Sequence, residues 1–252
     1  MLTVLAFSLA VAAAVRSTWS PCGLSMLSTV TPIAERGRGH RFAVTATWFV
    51  VGSVLGGATL GGITALGALA LDGVSAEVAL AVAGVAALVG AAIDAGVAGV
   101  RPPFFKRQLD DAWLDRYRGW VYGLGFGWQI GVGFATYIMT TAVPVTALLA
   151  ALTGSPAVGF LVGLAFGLVR GLANLGSAPA TTTAALGRLH QRFEALEAPV
   201  RQATVVALAT VGVVALAAAS PWVLLGGVAA VAALALAART RRPATSEPVV
   251  PA

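Results

Sequence analysis

The 252 residues contain one sulfur nucleophile, Cys22, set in Ser20-Pro21-Cys22-Gly23. Serine is a good helix N-cap and proline suits the first helical position, so the spacing places Cys22 in the first turn of a helix. The positive end of a helix favours a thiolate, which would make Cys22 a nucleophile, whereas apolar burial would leave it a small packing residue. Three charges, Arg16, Asp94 and Arg170, fall inside long apolar stretches, where a charge is costly enough to mark a functional candidate. Counted from the outer ends of their segments, Arg16 and Arg170 lie about 21 Å deep and Asp94 about 27 Å deep. Asp94 could therefore pair with an arginine, and the three could bind an anion, gate a path, snorkel or lock helices together. Ser28, Thr29, Thr31, Gln129, Thr136, Thr140, Thr141 and Arg170 are the candidate substrate-binding residues, with Ser25 and Asn174 as further polar lining. Some of these hydroxyls are expected to bond carbonyls of their own helices instead.

Other chemistry lacks its residues. No P-loop, HExxH, Ser/His/Asp set or central carboxylate pair is written in the chain, which disfavours ATP-driven pumping and hydrolysis. His40 and His190 have no Cys, His or acidic partner at metal spacing, so no metal and no cofactor is expected. A single cysteine forbids a disulfide within the chain.

These candidates must be held in a bilayer. Hydrophobic residues make up 58% of the chain, charged ones 10%, and the mean hydropathy is +0.88, too little polarity to coat a soluble globule of this size. The fold class is all-α integral membrane, a single transmembrane domain over 1–242. Apolar segments run at 2–33, 42–71, 76–98, 120–152, 156–176, 200–219 and 221–238, predicting seven spans. Residues 1–15 resemble a signal-peptide core but carry no preceding base, and are read as part of a retained first helix. The Pro-rich tail, 243–252, is expected to be disordered.

Connections alternate in charge. Fourteen of the sixteen basic residues lie in 34–41, 99–119, 177–201 and the tail, and none in the intervening loops. The positive-inside rule then puts the N-terminus outside and the C-terminus in the cytoplasm, in a cell membrane. Anchoring topology accounts for these bases, the lipid bilayer is the expected partner, and nucleic acid is not. Phe105, Leu109 and Trp113, and again Leu186, Leu189, Phe193 and Leu196, recur at three or four residues. Both sets predict short helices at the cytoplasmic surface.

Ser28-Thr29-Val30-Thr31-Pro32 and Thr140-Thr141-Ala142-Val143-Pro144 match at an offset of 112 residues, and Gly52 and Gly56 match Gly163 and Gly167 after a one-residue change. Three helices per copy is an odd number, so the copies, about 1–98 and 120–219, would form an inverted repeat followed by a last helix at 221–238. Each copy opens with a segment of about 45 Å against a hydrocarbon core of about 30 Å, and Pro21, Pro32 and Pro144 are the expected helix breaks. Paired breaks of this kind point to a site at mid-membrane. Gly123, Gly127 and Gly131, and Gly159, Gly163, Gly167 and Gly171, predict close helix contact rather than a wide pore.

With Ser20-Pro21-Cys22, the proline-broken first helix, the repeat and Gly167-Leu168-Val169-Arg170-Gly171, residues 2–219 resemble the CcdA/DsbD transmembrane family, whose fold is related to that of LysE-type exporters. The resemblance implies two inverted three-helix units, each supplying one cysteine to a pair that carries reducing equivalents across the membrane. Cys22 matches the first cysteine, and Phe134 stands where the second would be. Transport needs only a mid-membrane site and two alternately open states, so a small-solute transporter on this scaffold is the leading expectation. A single-cysteine thiol-disulfide protein working with an outside thiol, as in cytochrome c biogenesis, is the alternative, and the chain is an enzyme only in that case. A non-catalytic assembly partner is the third reading.

Overall fold

Helix starts are set locally. Ser20, Thr31, Ser75, Ser155 and Thr182 each accept a hydrogen bond from the backbone N–H three residues on, and Pro21, Pro32 and Pro156 open the helices that follow three of them. The computed structural model describes residues 1–97, 112–136 and 138–220, with 222, 225–227 and 229. Its helices are α1 (Leu2–Ser17), α2 (Pro21–Thr29), α3 (Pro32–Gly37), α4 (Phe42–Ala70), α5 (Ala76–Asp94), α6 (Trp113–Arg116), α7 (Gly119–Val132), α8 (Ala142–Leu152), α9 (Pro156–Ala173) and α10 (Thr183–Ala219), with a 3-10 turn at Asn174–Ser177. No strand occurs among the described residues.

Four helices, α4, α5, α9 continued through its 3-10 turn, and α10, are long and apolar enough to cross a bilayer, and α1 with α2 makes a fifth, bent by 64°. The chain is a multi-pass membrane protein. The remaining expected crossings resolve differently. Segment 120–152 is two short helices, α7 and α8, about 21 and 16 Å long, and neither reaches across alone. They lie end to end along α4: Gly123 rests on Thr45 near its start, while Gly67 near its end meets Ala151 of α8. The break between them begins at Gly133, whose φ of +75° lies in the left-handed region open to glycine. Pro144 is thus not the break. It is the third residue of α8, where a proline costs no intrahelical bond.

A second correction concerns 186–196. Those residues and the span at 200–219 are one helix, α10, which passes through Pro199. The carbonyl that Pro199 leaves unbonded, that of Ala195, belongs to an exposed residue, where no burial penalty attaches to it. Of the other cytoplasmic set, Phe105 and Leu109 lie outside the described residues, and Trp113 begins α6. The last expected span and the tail also lie outside them, apart from the few positions named above.

Glycines set the helix spacing. A Cβ on Gly123, Gly127 or Gly131 of α7 would strike the carbonyl oxygens of Thr45, Phe49 and Ser53 in turn, and the glycines of α9 meet α4 in the same manner. The expected glycine ladders are therefore helix contacts, with α4 held between α7 and α9. Contact between α5 and α10 is reciprocal: a Cβ on Gly84 would lie 2.6 Å from Leu216 and 3.0 Å from the Gly212 oxygen, and one on Gly212 would lie 2.7 Å from Leu88 and 3.0 Å from the Gly84 oxygen. Residue 84 thus meets 216, and 212 meets 88.

Candidate functional site

Two chain breaks collect the polar residues. The first, Thr18 to Ser20, lies between α1 and α2. Ser20 caps α2 by accepting from Gly23 N–H at 3.1 Å, and Pro21 starts the helix, so Cys22 falls in its first turn. Gly23 is required there, because a Cβ would press on the backbone of Thr18 and lie 3.1 Å from the Ser17 oxygen where the chain folds back. Trp19 ties the break to α10, donating its indole N–H to the Phe193 carbonyl at 2.7 Å.

Arg170, from the end of α9, reaches this break. It is 4% exposed, donates to the Ser17 carbonyl at 3.1 Å, and lies over the Phe166 ring at 5.9 Å. Cys22, 2% exposed, lies within electrostatic reach of it. No carboxylate among the described residues comes within ion-pair distance of Arg170. Asn174 is equally buried, and neither atom of its amide has a hydrogen-bond partner among the described residues. Arg170, Asn174, Thr18, Gly23 and Ile130 line a cavity of about 10 Å³, close to the least that holds one water. Ile130, three residues before the second break, is the contribution of α7 to this lining.

The second break, 133–141, is held by Asp94 at the end of α5. Its carboxylate accepts from Thr140 Oγ1 and, at 2.9 Å, from Thr141 N–H, while Thr141 Oγ1 donates to the Gly90 carbonyl at 2.9 Å. Asp94 is thus an N-cap for α8 supplied from another helix. The expected pairing of Asp94 with an arginine does not form among the described residues: Arg16 is 5% exposed and makes no salt bridge with Asp94.

The other expected lining residues divide. Ser28 and Thr29 donate to Leu24 and Ser25 carbonyls of their own helix, and Ser28 also meets His190 Nε2 at 2.8 Å on the outer side of α2. Thr31 is spent as the cap of α3. Gln129 is half-buried, and Thr136 is buried with its hydroxyl unpartnered among the described residues. Phe134 packs against the core to which α1, α5, α8, α9 and α10 contribute.

One buried charge lies where the sequence reads as a basic loop. Glu35 is 0% exposed and receives Tyr122 Oη at 2.6 and 2.7 Å, Thr45 Oγ1 at 2.6 Å and Arg38 Nη1 at 3.0 Å, with His40 Nδ1 at 3.8 Å. Thr31-Pro32 was the available signal: a cap and a first-position proline put Glu35 inside a helix rather than in a loop. No group of three or more possible metal ligands occurs among the described residues.

No family model matches the chain, and no solved structure does. Its curated relatives include the methylamine utilization protein MauF of Methylophilus methylotrophus, 30% identical over 175 residues, which are 67% of this chain and 60% of the relative. MauF of Paracoccus denitrificans is 31% identical over 181 residues, 64% of this chain and 59% of its own length. The chain thus aligns with about three fifths of the length of these two methylamine utilization proteins, and it is to these that it is similar.

Proposed function

We propose that the chain is a membrane accessory protein of amine utilization with a CcdA/DsbD-like scaffold, in which Cys22 is the working group of a thiol-disulfide exchange. The observation that carries this is Cys22 in the first turn of α2, within electrostatic reach of the buried guanidinium of Arg170. A helix N-terminus and a nearby cation both favour the thiolate. The thiolate attacks one sulfur of a partner's disulfide, forming a mixed disulfide and releasing the other sulfur as a thiolate that takes a proton from water. An incoming thiol, its proton passing to water, then attacks the partner's sulfur: the Cys22–partner bond breaks, a disulfide joins the partner to that thiol, and Cys22 leaves as the thiolate, so the electrons come from the outside thiol and the chain needs no second cysteine.

The order of a broken span, a long helix and a third helix in each half, with the reciprocal contact at Gly84 and Gly212, supports the inverted repeat. A second reading, transport of a small solute, is favoured by a broken span in each half. Against it, the cavity at the first break has room for about one water.

Trapping in intact membranes separates the readings. The thiol reading predicts adducts of a partner protein that are released by reductant and absent from Cys22→Ser. Wild-type membranes with no such adduct, and a Cys22 inert to a small permeant alkylating reagent, would sink it. Solute flux that persists in Cys22→Ser would establish transport instead.

A further inference from the structure

Two helix starts lie side by side at the arginine-rich end of the bundle, and neither is capped by a side chain. α4 begins after Arg41 and α7 after Arg118, and in both cases the first-turn bonds run only to the arginine's own carbonyl, from Val44 and Thr45 and from Val121 and Tyr122. The amides of Phe42, Ala43, Gly119 and Trp120 are the donors that every helix start leaves over. Gly119 brings the two starts together, since a Cβ there would stand 2.7 Å from Thr45 Oγ1 and 3.4 Å from the His40 ring.

Between them is a cavity of about 350 Å³, lined by His40, Arg41, Val44, Thr45, Arg118 and Trp120 among others. Among the described residues its charged lining is basic. Glu35, which touches His40, is fully buried and occupied by Arg38, Thr45 and Tyr122. On the other side the lining is apolar and aromatic, Val44 at 42% exposure and Trp120, and Trp120 meets Trp48 beyond the lining with ring centroids 5.8 Å apart and planes tilted by 53°, both rings more than a third exposed. Exposed tryptophans above a pair of arginines are what the boundary between headgroups and acyl chains selects.

We propose that this cavity binds the phosphate of an anionic phospholipid. Arg41 and Arg118 clasp the phosphate oxygens, the free amides of the two helix starts point to the same anion, and an acyl chain lies over Trp48 and Trp120. Anchoring topology requires only that arginines be cytoplasmic. It requires neither a cavity between two of them nor an aromatic wall leading from it into the hydrocarbon, and a free anion would leave that wall unused.

The test uses the full chain in detergent, with phosphatidylglycerol and phosphatidylcholine of identical chains, read by native mass spectrometry. Phosphatidylglycerol should be retained at least about tenfold better. Arg41→Gln/Arg118→Gln should lower it to the phosphatidylcholine level, and Arg188→Gln/Arg192→Gln should not. Should the first variant fail to insert, the wild type decides: phosphatidylglycerol with brominated chains should quench tryptophan emission more than brominated phosphatidylcholine, and Trp120→Phe should reduce the difference. Equal retention of the two lipids, or undiminished phosphatidylglycerol on folded Arg41→Gln/Arg118→Gln, overturns the proposal. So does inorganic phosphate that displaces the lipid at millimolar concentration, which would assign the cavity to a free anion.

Discussion

Gly57 and Gly62 lie five residues apart in α4, and replacing each by alanine should move stability in opposite directions. A Cβ on Gly62 meets nothing within 4 Å, so Gly62→Ala acts mainly on the helix itself and should stabilise by about 0.5–1 kcal/mol. At Gly57 the same methyl would stand 2.5 Å from the Gly163 oxygen and 2.9 Å from Gly167 Cα, both backbone atoms of α9. An ordinary contact needs about 3.5 Å, so α4 and α9 must separate by roughly 1 Å. That gap forfeits between a quarter and a half of each dispersion contact along the seam. Overpacking of this kind costs about 1–3 kcal/mol, which exceeds the gain of about 1 kcal/mol from helix propensity. The two variants should then differ by about 1–3 kcal/mol, read as midpoints of unfolding for the purified protein in one detergent. Gly57→Ala as stable as Gly62→Ala would refute the close contact of α4 with α9 and, with it, the placement of Arg170 against the first break.

Three further outcomes are expected. Asp94→Ala should cost about 1–2 kcal/mol through loss of the α8 cap, and Asp94→Asn less than half of that because one acceptor oxygen remains, both read by thermal unfolding in detergent; equal costs would show that Asp94 is not acting as a cap. Arg170→Gln should slow alkylation of Cys22 by a small permeant reagent about tenfold, and Pro21→Ala should slow it by letting α1 continue into α2; an unchanged rate in both would detach the thiol from the helix start and its cation. Cysteines introduced in a Cys22→Ser background should be labelled from outside at Ser220 and only from the cytoplasm at His40, and labelling of position 40 from outside would reverse the topology.

What the sequence discloses is what local chemistry controls. Ser20-Pro21 and Thr31-Pro32 mark helix starts because a cap and a first-position proline act within four residues, and the glycine ladders mark close contacts because nothing larger fits between two backbones. Pro144 misleads for the same local reason: a proline disrupts a helix interior but not its first turn, so it shows that a helix begins nearby without saying whether the break lies before or after. Pro199 misleads in the opposite sense, because its lost bond falls on an exposed turn of α10. Arg170 is visible as a charge in an apolar run. Its position beside Cys22, 148 residues earlier in the chain, depends on helix packing that no local pattern encodes.

Glu35 carries that point to an energetic consequence. Surrounded in sequence by Arg36, Arg38 and Arg41, it reads as one more charge of a solvated loop, yet its strongest partner, Tyr122, is 87 residues away on α7. Three hydrogen-bonding groups converge on a carboxylate with no exposure, so the charge was taken out of water only because α3, α4 and α7 meet there. Glu35→Ala should therefore cost about 3–5 kcal/mol, since it leaves Arg38 without its ion pair and the Tyr122 and Thr45 hydroxyls without their buried acceptor. Tyr122→Phe removes one donor and leaves the ion pair, and should cost about 1.5–3 kcal/mol, the range for a bond to a charged group. If the two residues act as one unit, Glu35→Ala/Tyr122→Phe should cost less than the sum of the single changes, measured by unfolding in one detergent. Strict additivity would mean that Glu35 and Tyr122 are not bonded, and the junction of α3, α4 and α7 would then need another explanation.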